Sequence, residues 1–416
     1  MKNKLYSYIA IALSSMLLLA FINLDTTATG NNLLYAGTAK IDFTPSSIPD
    51  SMVRDHQFIR VIAFSDGKNK ALIIAHENIS TRDALWNEMS QRIQKETGIP
   101  PEYIMICAVH NHSGINTGDD FNDKMMACVK EALANMKPVS IGAGKGECRM
   151  SMNRRAKAVT GGIYLGKNPY GPCDYEVAVL KVNNEKGESV TMMVNWPCHA
   201  VINFPESPLY TGDWPGGTSK FVENNHENKI IVPVTIGASA DINPIYRWSP
   251  TDIQPSADGK QEPIDVTAMD LGLEVERVAN GIITHPGGKI TAVQRYLTLP
   301  GKQQLESVME RYEARRPNQK ITPAGDLRVR LTAIKVGNII FTGFGGEVMT
   351  EIGIELKQKS PYANNFVITH CNGSAGYLVT NEALKEGGLE AARMLGMPGT
   401  AKVLIDNMLE MINELE

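Results

Sequence analysis

Two histidines two residues apart, His110 and His112, follow directly on the apolar run Tyr103–Val109 and lead into Ser113-Gly114. The run reads as a buried strand, and side chains at i and i+2 of an extended segment point to the same side. In open α/β sheets the loops at the carboxyl ends of strands enclose the ligand crevice. His-x-His-Ser-Gly at such a place points to a metal or acid/base site. Taken alone, the pair serves equally well to cap a strand or bond a loop carbonyl, so the weight falls on what the other strand ends carry.

The amino terminus holds Lys2 and Lys4, an apolar run from Tyr8 through Ile22 broken only by Ser14 and Ser15, and the polar stretch Asp25–Gly30. This layout predicts a signal peptide over 1–30 and a secreted or periplasmic protein. No cysteine follows the run closely, and the run is short for a span, so no stable transmembrane anchor is expected. With no internal repeat and no linker rich in Pro, Gly or Ser, residues 31–416 are expected to form a single domain. A formal charge of −4 gives no basic footprint and excludes nucleic acid as a partner. The six cysteines are too few and too scattered for a disulfide framework. At most one bridge, among Cys128, Cys148 and Cys173, is expected, while Cys107 and Cys198 read as small core residues.

Strand patterns fall at 36–43, 60–64, 70–75, 103–109, 175–182, 189–195, 229–236, 328–336, 339–342 and 365–369. Helical periodicity marks 80–97, 119–136 and 400–415, with a further helical stretch after Glu347. Trp248 to Glu262 reads as an exposed polar loop. The alternation predicts an α/β fold, a mixed β-sheet core with flanking helices.

Three further strand ends repeat the context of the histidine pair. Thr191–Asn195 runs into Trp196-Pro197-Cys198-His199; Ile339–Thr342 runs through glycines to Glu347; and Thr369-His370-Cys371-Asn372 leads to Gly376-Tyr377. Gly237–Pro244 follows the strand at 229–236 in the same style. Zinc sites are assembled in this way, from imidazole and carboxylate ligands with one position left open to water. Glu347 read alone is also what the first turn of a helix favours.

The segments Ala36–Pro45, His110–Gly114, Asn153-Arg154, Asn195–His199, Gly237–Pro244, Gly346-Glu347 and Gly376-Tyr377, in this order, resemble the neutral, non-lysosomal ceramidase family. The resemblance spans nearly all of the chain after the predicted signal peptide and implies a neutral-ceramidase-like catalytic domain. The immunoglobulin-like domain that follows in the family is not expected here. Carried over motif by motif, the family's Zn2+ ligands fall on His110, His199, Glu347 and Tyr377. The groups that hold and polarise the scissile carbonyl fall on His112 and Arg154. Two positions depart. The family's catalytic-centre serine is replaced by Asn243 in Ala240-Asp241-Ile242-Asn243-Pro244, and its second active-site tyrosine by Leu389. The resemblance accordingly places Asn243 at the reacting centre, with Asp241 and Leu389 at the substrate.

The expected function is an exported zinc-dependent hydrolase, cleaving an amide (N-acyl) or a related ester or lactone of a small-molecule or lipid substrate. A carbohydrate-directed hydrolase on the same metal centre, and a metal-bound binding protein that has lost catalysis, are the alternatives. An apolar rim for a lipid is expected from Met150, Met152, Ile163, Tyr164 and Leu165.

Overall fold

Near-continuous apolar strands need cover on both faces, and the fold supplies it in four layers. The computed structural model describes residues 33–114, 117–203, 209–246, 262–301 and 325–415. The predicted signal peptide, and all of the 248–262 loop except Glu262, lie outside them. The residues from Leu33 onward pack as one unit.

The larger sheet contains β1 (Leu34–Asp42), β2 (Phe58–Ser65), β3 (Lys70–His76), β4 (Ile104–Ala108), β5 (Lys137–Glu147), β8 (Glu176–Asn184), β9 (Ser189–Trp196) and β10 (Val234–Ile236). Its order is β10-β9-β8-β5-β1-β2-β3-β4, with β12 (His285–Pro286) paired to β5 off this path. The pairs β3/β4 and β9/β10 are parallel. A second sheet joins β13 (Ile290–Leu299), β14 (Leu327–Val336), β15 (Ile339–Phe344) and β17 (Asn365–Ile368). A three-stranded sheet contains β11 (Ile242–Pro244), β6 (Ser151–Lys157) and β7 (Ile163–Asn168), and a parallel pair joins β16 (Glu347–Val348) to β18 (Tyr377–Leu378).

Side-chain alternation explains the layering. In β2 and β3, Val61, Ala63, Leu72 and Ile74 pack on α1 (Asp83–Thr97) and α2 (Phe121–Ala134) through Trp86, Met89 and Met125. Their neighbours Ile62, Phe64, Ala71 and Ile73 pack on the second sheet through Ile334, Phe341 and Phe366. The helices α3 (Asp213–Asn225) and α4 (Pro263–Gly281) cover β8 to β10 through Trp214, Val222, Leu271 and Val275. The far face of the second sheet is covered by α5 (Thr350–Lys359) and α8 (Thr400–Asn413). Two short helices, α6 (Asn381–Glu386) and α7 (Leu389–Arg393), lie between these in the chain. The mixed sheets and flanking helices are those the sequence pattern predicts.

Some local expectations fail for physical reasons. The strand expected at 229–236 shrinks to Val234–Ile236, because Pro233 has no N–H to give the ladder. Ile231 keeps only an isolated bridge to Thr191. The cysteines expected to supply a bridge, Cys128, Cys148 and Cys173, are all thiols. β5, β6, β7, β13 and α4 form in stretches to which the pattern assigned no element.

β4 ends its sheet, and an edge strand leaves backbone groups to be satisfied elsewhere. Asn372 takes the place of a neighbouring strand. Its Oδ1 accepts from Ile106 N at 2.7 Å, its Nδ2 donates to Ile104 O at 2.7 Å, and its own N donates to Ile106 O at 3.0 Å. Asn372 is wholly buried, so Asn372→Leu strands a donor and an acceptor without water. Each orphan costs roughly 1–3 kcal/mol; the variant is therefore expected to lose about 3 kcal/mol in urea unfolding. A loss below about 1 kcal/mol would contradict this role.

Candidate metal centre

The chain turns sharply where it leaves β4, with His110 at φ 54°. His370 after β17, Asn372 beyond it and Asp213 at the start of α3 share that left-handed region, at φ 52°, 61° and 50°. Such backbone costs a non-glycine residue about 1–3 kcal/mol, and it persists where the surroundings hold a side chain in a set direction.

The His110 direction is inward. Its Nδ1 lies 2.8 Å from Ile79 O, and a carbonyl only accepts, so Nδ1 carries the proton and Nε2 presents a lone pair. His199 repeats the arrangement, its Nδ1 lying 2.7 Å from Ser239 O. Both Nε2 atoms lie 3.7 Å from Glu347 Oε2, an enclosed oxygen with no hydrogen-bond partner. Glu347 and Tyr377 are direct partners in the β16/β18 ladder, which sets the phenol beside the carboxylate. Tetrahedral zinc at about 2.1 Å from its ligands needs ligand atoms about 3.4 Å apart. Two inward lone pairs and an unpartnered carboxylate oxygen at 3.7 Å fit that requirement.

Two other imidazoles crowd the same point. The ligand atoms of His110, His112 and His199 lie within 4.8 Å of one another, as do those of His110, Glu347 and His370. His370 stacks on His110 with ring centroids 3.8 Å apart. His112 Nε2 lies 3.1 Å from His110 Nε2; since the latter bears the lone pair, His112 carries its proton on Nε2.

Burial keeps these rings neutral. It pushes His110, His112 and His370 below the usual imidazole range, and with the Arg154 charge it pushes His199 down to about 4. The Tyr377 phenol is pushed up by burial and by the Glu347 charge, with Arg154 acting the other way.

Arg154 is the cation of the site. Its Nη2 donates to Tyr377 OH at 3.1 Å, and its Nη1 lies 3.2 Å from His199 Nε2 and 3.3 Å from Asn243 Oδ1. Behind it, the wholly buried Glu390 accepts from Arg154 Nε and from Arg155 Nη1, each at 2.9 Å. The sequence reading missed Glu390, as it missed a role for His370. The context of His370, a polar residue at the end of a buried strand, was the available signal. For Glu390 none exists, because the contact closes over 236 residues.

Asp241, expected at the substrate, lines the cleft beside β6, and both of its oxygens already accept hydrogen bonds. Its carboxylate accepts from Thr350 N at 2.9 Å, in the first turn of α5, and from Asn153 Nδ2 at 2.8 Å. Leu389 is half-buried and opens α7, directly before Glu390. Of the expected apolar rim, Tyr164 and Leu165 are exposed, Met152 and Ile163 half-buried and Met150 buried. A cleft of about 570 Å³ flanks β6, lined by Asn153, Arg155, Lys157, Tyr164, Asn168 and Tyr170 among others. Among the described residues no helix is long and apolar enough to cross a membrane.

No protein-family model matches the sequence, and no curated protein matches it either. Solved structures do. One is described as a ceramidase complexed with C2; it is 13% identical, with a TM-score of 0.73 over 91% of this chain and 75% of its own. Another is the neutral ceramidase from Pseudomonas aeruginosa, 14% identical, with a TM-score of 0.72 over 92% of this chain and 74% of its own. The fold is that of the neutral ceramidases. Within this ceramidase fold, the four residues that the resemblance assigns to the metal and the arginine it assigns to the carbonyl stand together.

The depressed histidines make stability pH-dependent. Unfolded, they titrate near 6.5; folded, they stay neutral to lower pH, so below about 6.5 the unfolded chain binds more protons and stability falls. The His199 shift, from 6.5 to about 4, amounts to about 3 kcal/mol. Asp213 and Asp241, pushed up to about 6 by burial, and Glu77 and Glu351, also pushed up by burial, act in the opposite direction, but they are outnumbered by these four histidines together with His76, which burial pushes down to about 3. In the presence of chelator, urea unfolding is expected to show stability falling between about pH 6.5 and 4.5, less steeply in His199→Gln. A flat or rising profile in the unmodified chain would contradict the neutral-histidine assignment.

Proposed function

We propose that the chain is an exported zinc-dependent hydrolase that cleaves an N-acyl amide, with a lipid-like acyl compound as its substrate class. The observation that carries this reading is the Arg154 guanidinium, fixed by Glu390 and set across the point where His110, His199, Glu347 and Tyr377 converge. A zinc ion held by those four would supply a water acidic enough to attack a carbonyl near neutral pH.

The chain's own residues provide the remainder. His110 and His199 are kept in the ligand tautomer by the carbonyls of Ile79 and Ser239. His112 directs its Nε2 proton into the centre, and Arg154 directs two N–H groups there, so both can donate to a carbonyl oxygen as it gains charge. Glu390 holds the guanidinium from behind, and its second oxygen on Arg155 keeps the carboxylate itself from swinging. A protein that only bound a metal would have no use for this donor pair.

The ceramidase names of the solved neighbours support an amide as the bond cleaved, and Tyr164 and Leu165 supply apolar surface near the site strand. Asn243 and Leu389 separate the chain from ceramide itself: an amide engaged by Arg154 stands where the family has a hydroxyl, and leucine has no proton to give. An acylated, hydroxyl-rich substrate is the second reading. The polar cleft with Asn153, Lys157, Asn168 and Glu382 favours it.

The test is hydrolysis by the purified protein of N-acyl sphingoid, N-acyl amino acid and acylated sugar panels, with and without chelator. His110→Ala and His199→Ala are expected to lose bound zinc. His112→Ala and Arg154→Ala are expected to keep it and lose roughly 10²–10³-fold in kcat, the usual cost of an oxyanion donor. Full zinc occupancy in both ligand variants would remove the ligand assignment, and zinc loss in His112→Ala would make that residue a ligand.

A further inference from the structure

Cys107 and Cys371 meet behind the metal centre. Cys107 lies in β4, three residues before His110, and Cys371 follows His370 directly. Both side chains are wholly buried, both are thiols, and their Sγ atoms are 3.6 Å apart. The other cysteines sit differently: Cys128 contacts Ile59 O, and Cys173 contacts Ser151 Oγ.

The backbone fixes the relation between the two. Cys107 and Cys371 are partners in an isolated antiparallel bridge. Its hydrogen bonds run between the flanking residues, Ala108 N to His370 O at 3.2 Å and Asn372 N to Ile106 O at 3.0 Å. The cysteines therefore form a non-hydrogen-bonded pair, the kind with Cα atoms about 4.5 Å apart and side chains closest together. A disulfide needs Cα atoms roughly 4.4–6.8 Å apart. The main chain meets that condition already; only side-chain rotation is needed to bring the sulfurs to about 2.05 Å.

We propose that Cys107 and Cys371 are a disulfide site, a crosslink that joins β4 to the loop after β17 behind the stacked rings of His110 and His370. Two S–H bonds break and one S–S bond forms. The two electrons reduce an external small-molecule disulfide of the glutathione type to two thiols, which take up the two protons. Because both thiols are buried in the folded chain, the exchange takes place while the strands close, and the finished bond is shielded from reductant. The proposal does not depend on the hydrolase reading.

The test uses the reduced full chain, refolded with oxidised glutathione. It is then unfolded in guanidinium with iodoacetamide and no reductant, digested, and read by mass spectrometry. The expected result is a Cys107 peptide joined to a Cys371 peptide, lighter than the two together by two hydrogen atoms, with Cys128, Cys148, Cys173 and Cys198 alkylated. A crosslink spanning 264 residues constrains the unfolded chain, so the oxidised form is expected to melt roughly 5–10 °C above the reduced form, a difference absent in Cys107→Ser. Recovery of Cys107 and Cys371 as alkylated peptides, as glutathione adducts or joined to other cysteines would overturn the proposal. The mass readout rests on the unmodified chain and so does not depend on whether the variant folds.

Discussion

Three electron-rich atoms converge in the interior of this protein: Nε2 of His110, Nε2 of His199 and Oε2 of Glu347. Each imidazole donates its Nδ1 proton in a hydrogen bond to a backbone carbonyl on the far side of the ring, and burial keeps both rings from taking up a second proton. An enclosed carboxylate facing two lone pairs is unfavourable unless a cation joins them. Arg154 brings a permanent charge beside them, its Nη1 3.2 Å from His199 Nε2, while its Nε donates to Glu390. The strained backbone at His110 and His370, the β16/β18 pairing and the buried Glu390 all serve to keep this convergence in place.

The residues at strand ends were readable because each lies where an apolar run gives way to polar or small residues, a contrast that survives in one sequence. His110, His199, Glu347 and Tyr377 all belong to this class. What was not readable lies between distant segments. Glu390 reaches Arg154 and Arg155 across the fold, and its local sequence marks only a short helix. The resemblance marks Asp241, but its bonds to Thr350 and Asn153 come from elements that only the fold brings near.

The elements missed in sequence have a similar explanation. β5 carries Gly142, Gly144 and Gly146, which depress strand propensity. They are there because the end of α4 and the residues just after it lie against the strand. A Cβ at Gly146 would fall 2.0 Å from Glu274 Oε1, and one at Gly142 would fall 2.4 Å from Ile283 O. Close packing erased the signal that would have announced the strand. Pro233 did the converse, sitting inside an apolar run that read as one strand and shortening it to three residues.

At 13–14% identity to two solved ceramidases the chain shares their fold. Diffraction at the zinc absorption edge, from crystals grown with zinc, would show whether a cation completes that convergence. The account predicts one anomalous peak about 2.0–2.2 Å from Nε2 of His110, Nε2 of His199 and an oxygen of Glu347, with Tyr377 as the fourth protein ligand. A peak bound by His112 or His370 in place of Glu347, or no peak at that point, would contradict it.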